Sequence, residues 1–325
     1  MKILVMNRGS SSIKMSFYDF PNLIWESKVD STALDLSKLK SVKPDAIGHR
    51  VVHGGKRFQS ALINARLKRE INHYAKFAPL HNKSDLEAIR KLEKLFPKVP
   101  QVAVFDTAFH HTLSAAAFTY PGPYSWLKAG IRRYGFHGIS FQYCTRHVAE
   151  KLGAMPKKMV ICHLGAGASL CAVLNGKSVD TTMGFTPLEG LMMDTRSGTV
   201  DPGILLYLFS KKTQKQLTKE LYENSGLLGL SGISSDMRDL LNSKSARAKL
   251  ALDVYIHRLV SMIGSMIATL GGIDTLVFTG GIGENAAVIR ERVCDQLSFL
   301  KMKIVIVHTQ EAFEIARETA IILSR

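Results

Sequence analysis

Apolar residues in this chain fall into short continuous runs, strict alternations and helical stripes, in an order that repeats. Lys2 to Met6 is a short apolar run that predicts a buried strand, Asn7 to Ser12 is a Gly/Ser turn, and Ile13 to Tyr18 predicts a second strand. Ala46 to Gly55, AIGHRVVHGG, reads as a strand with Arg50 embedded in it and Gly54-Gly55 closing it. Asn64 to Phe77 and Ser84 to Phe96 have helical periodicity, and Ser84 with Glu87 makes a capping box. Val102 to Phe105 predicts a buried strand, and a helix is expected from about Ile139 to Leu152. Met159 to Cys162 is again a strand, followed by the alternation Leu170, Ala172, Leu174. Asn175-Gly176 then leads to Ser178–Thr182, and Asn-Gly between two strand-like runs is the strongest short-range hairpin signal. Asp201-Pro202 opens a helix to Phe209, a second helix runs from about Thr213 to Tyr222, and Ser225 to Ser235 reads as a flexible loop. Ala246 to Leu270 is a long helix whose stripe Met262, Ile263, Met266, Ile267 and Leu270 belongs to a core; Gly271-Gly272 stops it. Thr275–Thr279 and Lys303–Val307 predict strands, Gly280–Asn285 leads from the first into a helix, and a closing helix follows Glu311. Strands alternating with helices make the chain α/β.

The bulk numbers sharpen this picture only slightly. With 325 residues and 46% hydrophobic content, the chain can bury a large core, and in practice two. There are 43 Lys and Arg against 27 Asp and Glu, a formal net charge of +16. The positives are scattered (Lys38, Lys40, Lys43; Lys211, Lys212, Lys215) with few aromatics among them, which fits a solvated face better than a nucleic-acid groove. Cys144, Cys162, Cys171 and Cys294 lack metal spacing, and two of them sit in apolar strand-like runs, so a reducing cytoplasm is expected. The N-terminus enters a strand at once and no apolar run approaches membrane-spanning length, so no membrane role is expected. No low-complexity linker is present; a domain boundary would be a hinge, before or within the helix from His137 to Leu152 and again near Glu311.

The chemistry is concentrated in the stretch from His163 to Pro202. Gly165-Ala166-Gly167 leaves a strand as a small loop, where backbone N–H groups can close on an anion because little side chain blocks the approach. This loop sits in a hairpin, unlike dinucleotide and Walker-type loops, which open a helix. The same stretch delivers Arg196 in a turn-rich segment, and a phosphate cradle with a nearby cation points to phosphoryl transfer. The turn at Asn7–Ser12 resembles the Gly165 loop; it is either a plain polar hairpin or a second anion-binding tip. Two such hairpins point to a duplicated domain. Arg50 is either an edge-strand surface arginine or a clamp for a carboxylate or phosphate. Asp106, at the carboxyl end of its strand, is either a helix N-cap or a catalytic group. His137, between glycines at a helix start, lies where a neutral imidazole or a nearby anion is favoured. Gly281, Gly283 and Ala286 match G-x-G-x-x-A after a strand, but the next strand runs into His308 where a dinucleotide fold needs an acidic residue. A nucleotide-contacting loop fits better than a dinucleotide fold.

Taken together, these segments resemble the acetate and propionate kinase family, the acetokinase branch of the sugar kinase, Hsp70 and actin superfamily. The resemblance rests on NRGSSSIK (Asn7 to Lys14), GHRVVHGG (Gly48 to Gly55), APLHN (Ala78 to Asn82), VAVFDTAFH (Val102 to His110), RRYGFHG (Arg132 to Gly138), HLGAGAS (His163 to Ser169), TPLEGLMMDTRSG (Thr186 to Gly198) and GGIGEN (Gly280 to Asn285), which run in family order from end to end. It implies two duplicated actin-like (ribonuclease H-like) α/β domains with a cleft between them: residues 1–146 with 312–325, and residues 147–311. It implies a homodimer and reversible transfer of the ATP γ-phosphoryl group to acetate, giving acetyl phosphate and ADP with Mg²⁺ (Mn²⁺ as a substitute). Carried over by position, Asn7 and Glu311 are the metal-linked residues, and Ser10, Ser12 and Lys14 face the nucleotide phosphates. Arg50 holds the acetate carboxylate in a shallow pocket of Val52, Leu80, Phe136 and Pro187. Asp106 is the catalytic carboxylate, with His137 and Arg196 stabilising the transition state. His163, Leu164, Gly165, Ala166 and Gly167, then Asp236, Met237 and Arg238, then Gly281, Ile282, Gly283, Glu284 and Asn285 line the ATP site. Val52 in the pocket favours acetate over propionate, though one methylene is worth only about 1–3 kcal/mol.

The chain departs from the family pattern in several places. Ala166 stands where the family usually has Asn, Asp194 where it has Gly before Thr-Arg, and Thr199 where it has Asp. Lys83-Ser84 replaces Pro-Ala, and Phe141 replaces a usual His. The chain is also shorter than typical members between Lys14 and Arg50 and between Asn285 and Glu311. The alternatives are a propionate or other short-chain carboxylate kinase, and a nucleotide-binding homologue with reduced catalysis.

Overall fold

A computed structural model describes residues 1–8, 12–30, 39–75 and 82–324. Ser10 and Leu80 lie outside the described residues, as does the side chain of Ser12. The chain divides into two compact units: Met1–His111, Phe136–Tyr143 and Gln310–Arg325 form the first, and Thr112–Gly135 with Cys144–Thr309 form the second.

In the first unit, β1 (Lys2–Arg8) pairs antiparallel with β2 (Ser12–Asp19), which pairs antiparallel with β3 (Asn22–Asp30). On its other side β1 runs parallel to β4 (Ala46–Val51), then comes β6 (Gln101–Phe105), with the two-residue β5 (Ala61–Leu62) at the edge. Successive side chains point to opposite faces of a strand, so the continuous run Ile3–Met6 means that both faces of β1 are covered. Ile3 and Val5 pack with Val102, Val104 and the helix Glu311–Leu323 through Ala312, Ile315 and Ala316. Leu4 and Met6 pack the other way, with Ile13, Met15, Phe17, Ile47 and Leu92 of the helix Asn82–Leu95.

The second unit repeats the plan. β7 (Lys158–Leu164), β8 (Ala168–Leu174) and β9 (Lys177–Thr181) are antiparallel neighbours, and β10 (Thr275–Thr279) and β11 (Lys303–Ile306) extend the sheet in parallel beyond β7. The order β9-β8-β7-β10-β11 matches β3-β2-β1-β4-β6 of the first sheet. The β8–β9 turn is made by Asn175 (φ 49°) and Gly176 (φ 77°), both left-handed as a two-residue hairpin of this kind requires. The 25-residue helix Ala246–Leu270 buries Leu252, Ile256, Leu259, Ile263 and Met266 and ends on left-handed Gly271. By length and composition this helix suffices to cross a bilayer, contrary to the expectation that no run comes near that length. Its buried stripe instead makes it the core helix of its unit.

Two local expectations are corrected, and one strand is added. Ser84 lies inside the helix Asn82–Leu95, two residues past its start, so it forms no capping box there. Residues 225–235 are not a plain loop: Gly226–Ser231 is helical, with Leu227 buried and left-handed Gly232 closing it. β3 has no counterpart in the sequence reading: its residues are mostly exposed or half-buried, and Leu23, Ile24, Trp25 and Val29 make neither a strand-length apolar run nor a regular alternation.

Candidate active site

In the first unit, parallel β4 and β6 place Arg50 beside the strand end that carries Asp106. Arg50 Nε and Nη2 donate to Asp106 Oδ2 at 3.0 and 2.6 Å, and Nη1 donates to the Arg8 carbonyl at 3.0 Å. Three of five guanidinium N–H groups are thereby used, leaving two to meet a ligand. The Asp106 side chain is 1% exposed, and its Oδ1 has no hydrogen-bond partner among the described residues. A buried carboxylate oxygen without a partner among the described residues is costly, which makes it a candidate donor to a ligand or cation. Burial raises the Asp106 carboxyl, the Arg50 charge opposes that, and nearby Glu311 pushes it up again. Burial works against the Arg50 charge, but Asp106 and Glu311 more than offset it and the guanidinium stays charged.

Asn7 Nδ2 donates to Glu311 Oε2 at 2.9 Å, joining the end of β1 to the first turn of the closing helix. An amide oxygen, a carboxylate and the Asp106 oxygen are hard donors of the kind Mg²⁺ takes, and the mutual repulsion of Asp106 and Glu311 favours a cation. Among the described residues no cluster of three His, Cys, Asp or Glu side chains forms a protein-only cage, and a cation that keeps waters and borrows phosphate oxygens needs none. Lys14, expected at the phosphates, pairs with Glu26 of β3 at 2.9 Å.

Val52 and Phe136 are buried beside this group, Phe136 accepting from His110 Nε2 at 3.0 Å and packing edge-on to His53. Burial pushes His53 down to about 3, so its ring is neutral and contributes packing. His137 adopts φ 58°, the left-handed region that non-glycine residues rarely occupy. Such strain, of order 1–3 kcal/mol, persists where surrounding structure enforces it and clusters at functional positions. Enforcement comes from the Gly138 N–H, which donates to the Asp106 carbonyl at 2.8 Å and ties the histidine turn to the strand end. Sequence reasoning missed Asp85, which is buried in the helix Asn82–Leu95 with Oδ2 3.4 Å from the Val52 nitrogen.

In the second unit, eight of the residues expected at the nucleotide line one cavity of about 490 Å³: Gly165, Ala166, Asp236, Met237, Arg238, Gly281, Ile282 and Asn285. The hairpin loop after β7 and the turn after β10 meet there, a side-chain carbon on Gly165 falling 3.8 Å from the Gly281 nitrogen. Leu164 is buried in the sheet, and His163, Gly167 and Gly283 do not line the cavity. Glu284 faces inward as a brace: Oε1 accepts from the Gly280 and Thr309 N–H groups at 2.9 and 3.0 Å, and Oε2 meets His308 Nδ1 at 2.5 Å. Asp194 also lines the cavity, and burial, with Asp236 nearby, raises it to about 6. Arg196 Nη1 donates to the Pro187 carbonyl at 3.1 Å, which brings two expected site residues together within this unit.

Comparison with known proteins bears on both halves. The model of the acetokinase family matches residues 35–322. The acetate kinase of Gloeobacter violaceus is 44% identical over 398 aligned residues, covering 98% of each chain. The crystal structure of Porphyromonas gingivalis acetate kinase covers 99% of each chain at 34% identity with a TM-score of 0.90. That of a propionate kinase from Francisella tularensis covers 98% of this chain and 99% of its own at 35% identity and 0.91.

Proposed function

The chain belongs to the acetokinase family and acts as an acetate kinase of actin-like fold, and from that premise we propose how its own residues divide the work. The first unit holds the acceptor: the two remaining N–H groups of Arg50 take the acetate carboxylate, and Val52 and Phe136 take its methyl group. The second unit holds the nucleotide in the cavity lined by Gly165, Asp236 and Gly281. The observation that carries this reading is the Arg50–Asp106 pair, a largely buried guanidinium with spare donors beside a carboxylate oxygen that has no hydrogen-bond partner among the described residues.

Acetate is already an anion at neutral pH, so no base has to activate it. One carboxylate oxygen forms the new bond to the γ-phosphorus, the bond from that phosphorus to the β-bridging oxygen breaks, and ADP leaves with the electron pair; no proton need move. The obstacle is the repulsion between acetate and a triphosphate. Arg196 and His137 offset it by donating to the equatorial oxygens of the phosphoryl group in flight. An arginine in that role supplies roughly 10³–10⁵ in rate, about 4–7 kcal/mol. Asn7, Glu311 and Asp106 Oδ1 would hold magnesium, which would neutralise phosphate charge. Asp106 also fixes the Arg50 guanidinium through its other oxygen.

The protein in solution is proposed to be a homodimer. Support comes from the helix Pro202–Phe209, which exposes Ile204, Leu206, Tyr207 and Phe209 with Leu206 74% exposed, an apolar face that water does not favour. The likeness to a propionate kinase favours propionate as a second acceptor. The test is hydroxamate formation with ATP, Mg²⁺, hydroxylamine and acetate, propionate or butyrate. Acetyl hydroxamate is expected to form with the highest kcat/KM, and no product from any of the three acids would overturn the reading.

A further inference from the structure

Within the second unit, one charged side chain grips the backbone that leads to Pro187. The two N–H groups of Arg133 Nη1 are shared among three consecutive carbonyls, those of Thr181, Thr182 and Met183, at 2.9, 3.0 and 3.1 Å. Its Nη2 donates to Glu189 Oε1 at 2.7 Å. The other oxygen of Glu189 accepts from the Tyr120 hydroxyl, and that hydroxyl oxygen accepts from the Phe185 N–H at 2.8 Å. Burial, and then the hydrogen bond to Glu189, push the Tyr120 phenol above its ordinary range, which keeps its proton on the bond to the carboxylate. The Gly184 carbonyl accepts from the Tyr134 and Gly135 N–H groups at 3.0 and 3.3 Å. No side chain fits at Gly184, where an added carbon would sit 1.6 Å from Glu189 Oε2 and 2.0 Å from the Tyr120 hydroxyl oxygen.

The gripped segment, 181–189, makes two outward connections. Its Pro187 carbonyl accepts from Arg196 Nη1 at 3.1 Å. Its last residue, Glu189, precedes Gly190, which exchanges hydrogen bonds with Thr199 (Gly190 N–H to Thr199 Oγ1, 3.0 Å; Thr199 N–H to Gly190 carbonyl, 2.9 Å) and so closes the base of the loop that carries Arg196. An arginine side chain has many rotamers, and fixing its donors in one direction requires neighbours that are themselves fixed. We propose that Tyr120, Glu189 and Arg133 form a clamp that positions Arg196 for phosphoryl transfer by holding both the Pro187 carbonyl and the base of the arginine loop. These are positioning residues: none is assigned a contact with substrate. The inference rests on the role given to Arg196 above.

The experiment is a double-mutant cycle on the full chain, with kcat and both KM values measured for wild type, E189Q, Y120F, R196A and the combinations of each clamp variant with R196A, and with thermal unfolding followed in parallel. Glu189→Gln removes the charge that ties Arg133 to Tyr120, and Tyr120→Phe leaves the Arg133–Glu189 pair in place should the first variant fold poorly. In the wild-type background each is expected to lower kcat on the order of 10- to 100-fold with the acetate and ATP KM nearly unchanged. In the R196A background neither is expected to lower kcat further, because the group they position is gone. Clamp variants that keep the wild-type kcat, or that lose the same factor again on top of R196A, overturn the clamp while leaving the role of Arg196 intact. An R196A enzyme with wild-type kcat overturns both.

Discussion

Replacing Asp85 by Asn should make the protein more stable at pH 8 and should do so only above the acidic range. Asp85 is 3% exposed, and its neighbours are the Val52 N–H, Arg50, Arg8 and Asp106. Burial pushes its carboxyl up from 3.8 to about 7; the Val52 N–H, then Arg50 and Arg8, oppose that rise, and Asp106 adds to it. A folded-state pKa above the unfolded one means that the native protein binds the proton more tightly. Stability from this group is therefore full below about pH 4 and is lost as pH climbs through 7. At ~1.36 kcal/mol per pH decade, the full loss is about 4 kcal/mol as an upper bound. Urea unfolding of wild type and D85N at pH 5, 6, 7 and 8 reads it directly. The advantage of D85N should grow by about 1 kcal/mol per pH unit from 5 to 7 and then level off. The same charge appears beside Arg50, so the acetate KM of wild type should rise through pH 7 while that of D85N stays flat. Parallel stability curves, or a wild type that gains on D85N as pH rises, would show that Asp85 is ionised and paired throughout, and the reasoning would fail.

Arg50→Ala should raise the acetate KM about 100-fold and, by leaving Asp106 buried without its partner, destabilise the fold by roughly 3–5 kcal/mol in the same unfolding assay. Asp194 puts a carboxylate in the wall of the cavity proposed to hold the nucleotide, so Asp194→Gly should lower the ATP KM about fivefold at pH 8, one like charge being worth about 1 kcal/mol. Because Asp194 is raised to about 6, that advantage should shrink as pH falls to 5 and the wild-type carboxyl takes up a proton. Light scattering should give twice the chain mass of 35.9 kDa for wild type and the single mass for Leu206→Glu.

What the sequence revealed about the fold is what local physics determines. The helix Ala246–Leu270 is legible to the residue because its apolar stripe ends at a glycine that adopts the left-handed turn. The helix Pro202–Phe209 is legible because Asp201 caps it and Pro202 occupies its first position. β7 is legible because burial on both faces makes Met159–Cys162 continuously apolar, and β8 because Leu170, Ala172 and Leu174 alternate ahead of the Asn175-Gly176 turn. The losses have equally local causes: β3 is mostly exposed or half-buried, and Ser84 is a strong cap residue that a helix beginning earlier simply incorporates. At the site, the motif residues of each unit were readable, Asp194 among them as a departure. Asp85 and the clamp of Tyr120, Arg133 and Glu189 were not. Their significance depends on partners 33 to 69 positions away, which only the folded sheet brings within hydrogen-bond reach.

On the proposed mechanism, separate cationic groups offset the repulsion between acetate and ATP while the new bond forms. The measurement that tests it most directly is kcat of Arg196→Ala at saturating acetate and saturating MgATP. A fall of roughly 10³–10⁵ with both KM values within a few-fold of wild type is expected, since the lost interaction exists only in the transition state. Wild-type turnover restored simply by raising either substrate would show that Arg196 only binds, and would contradict the account.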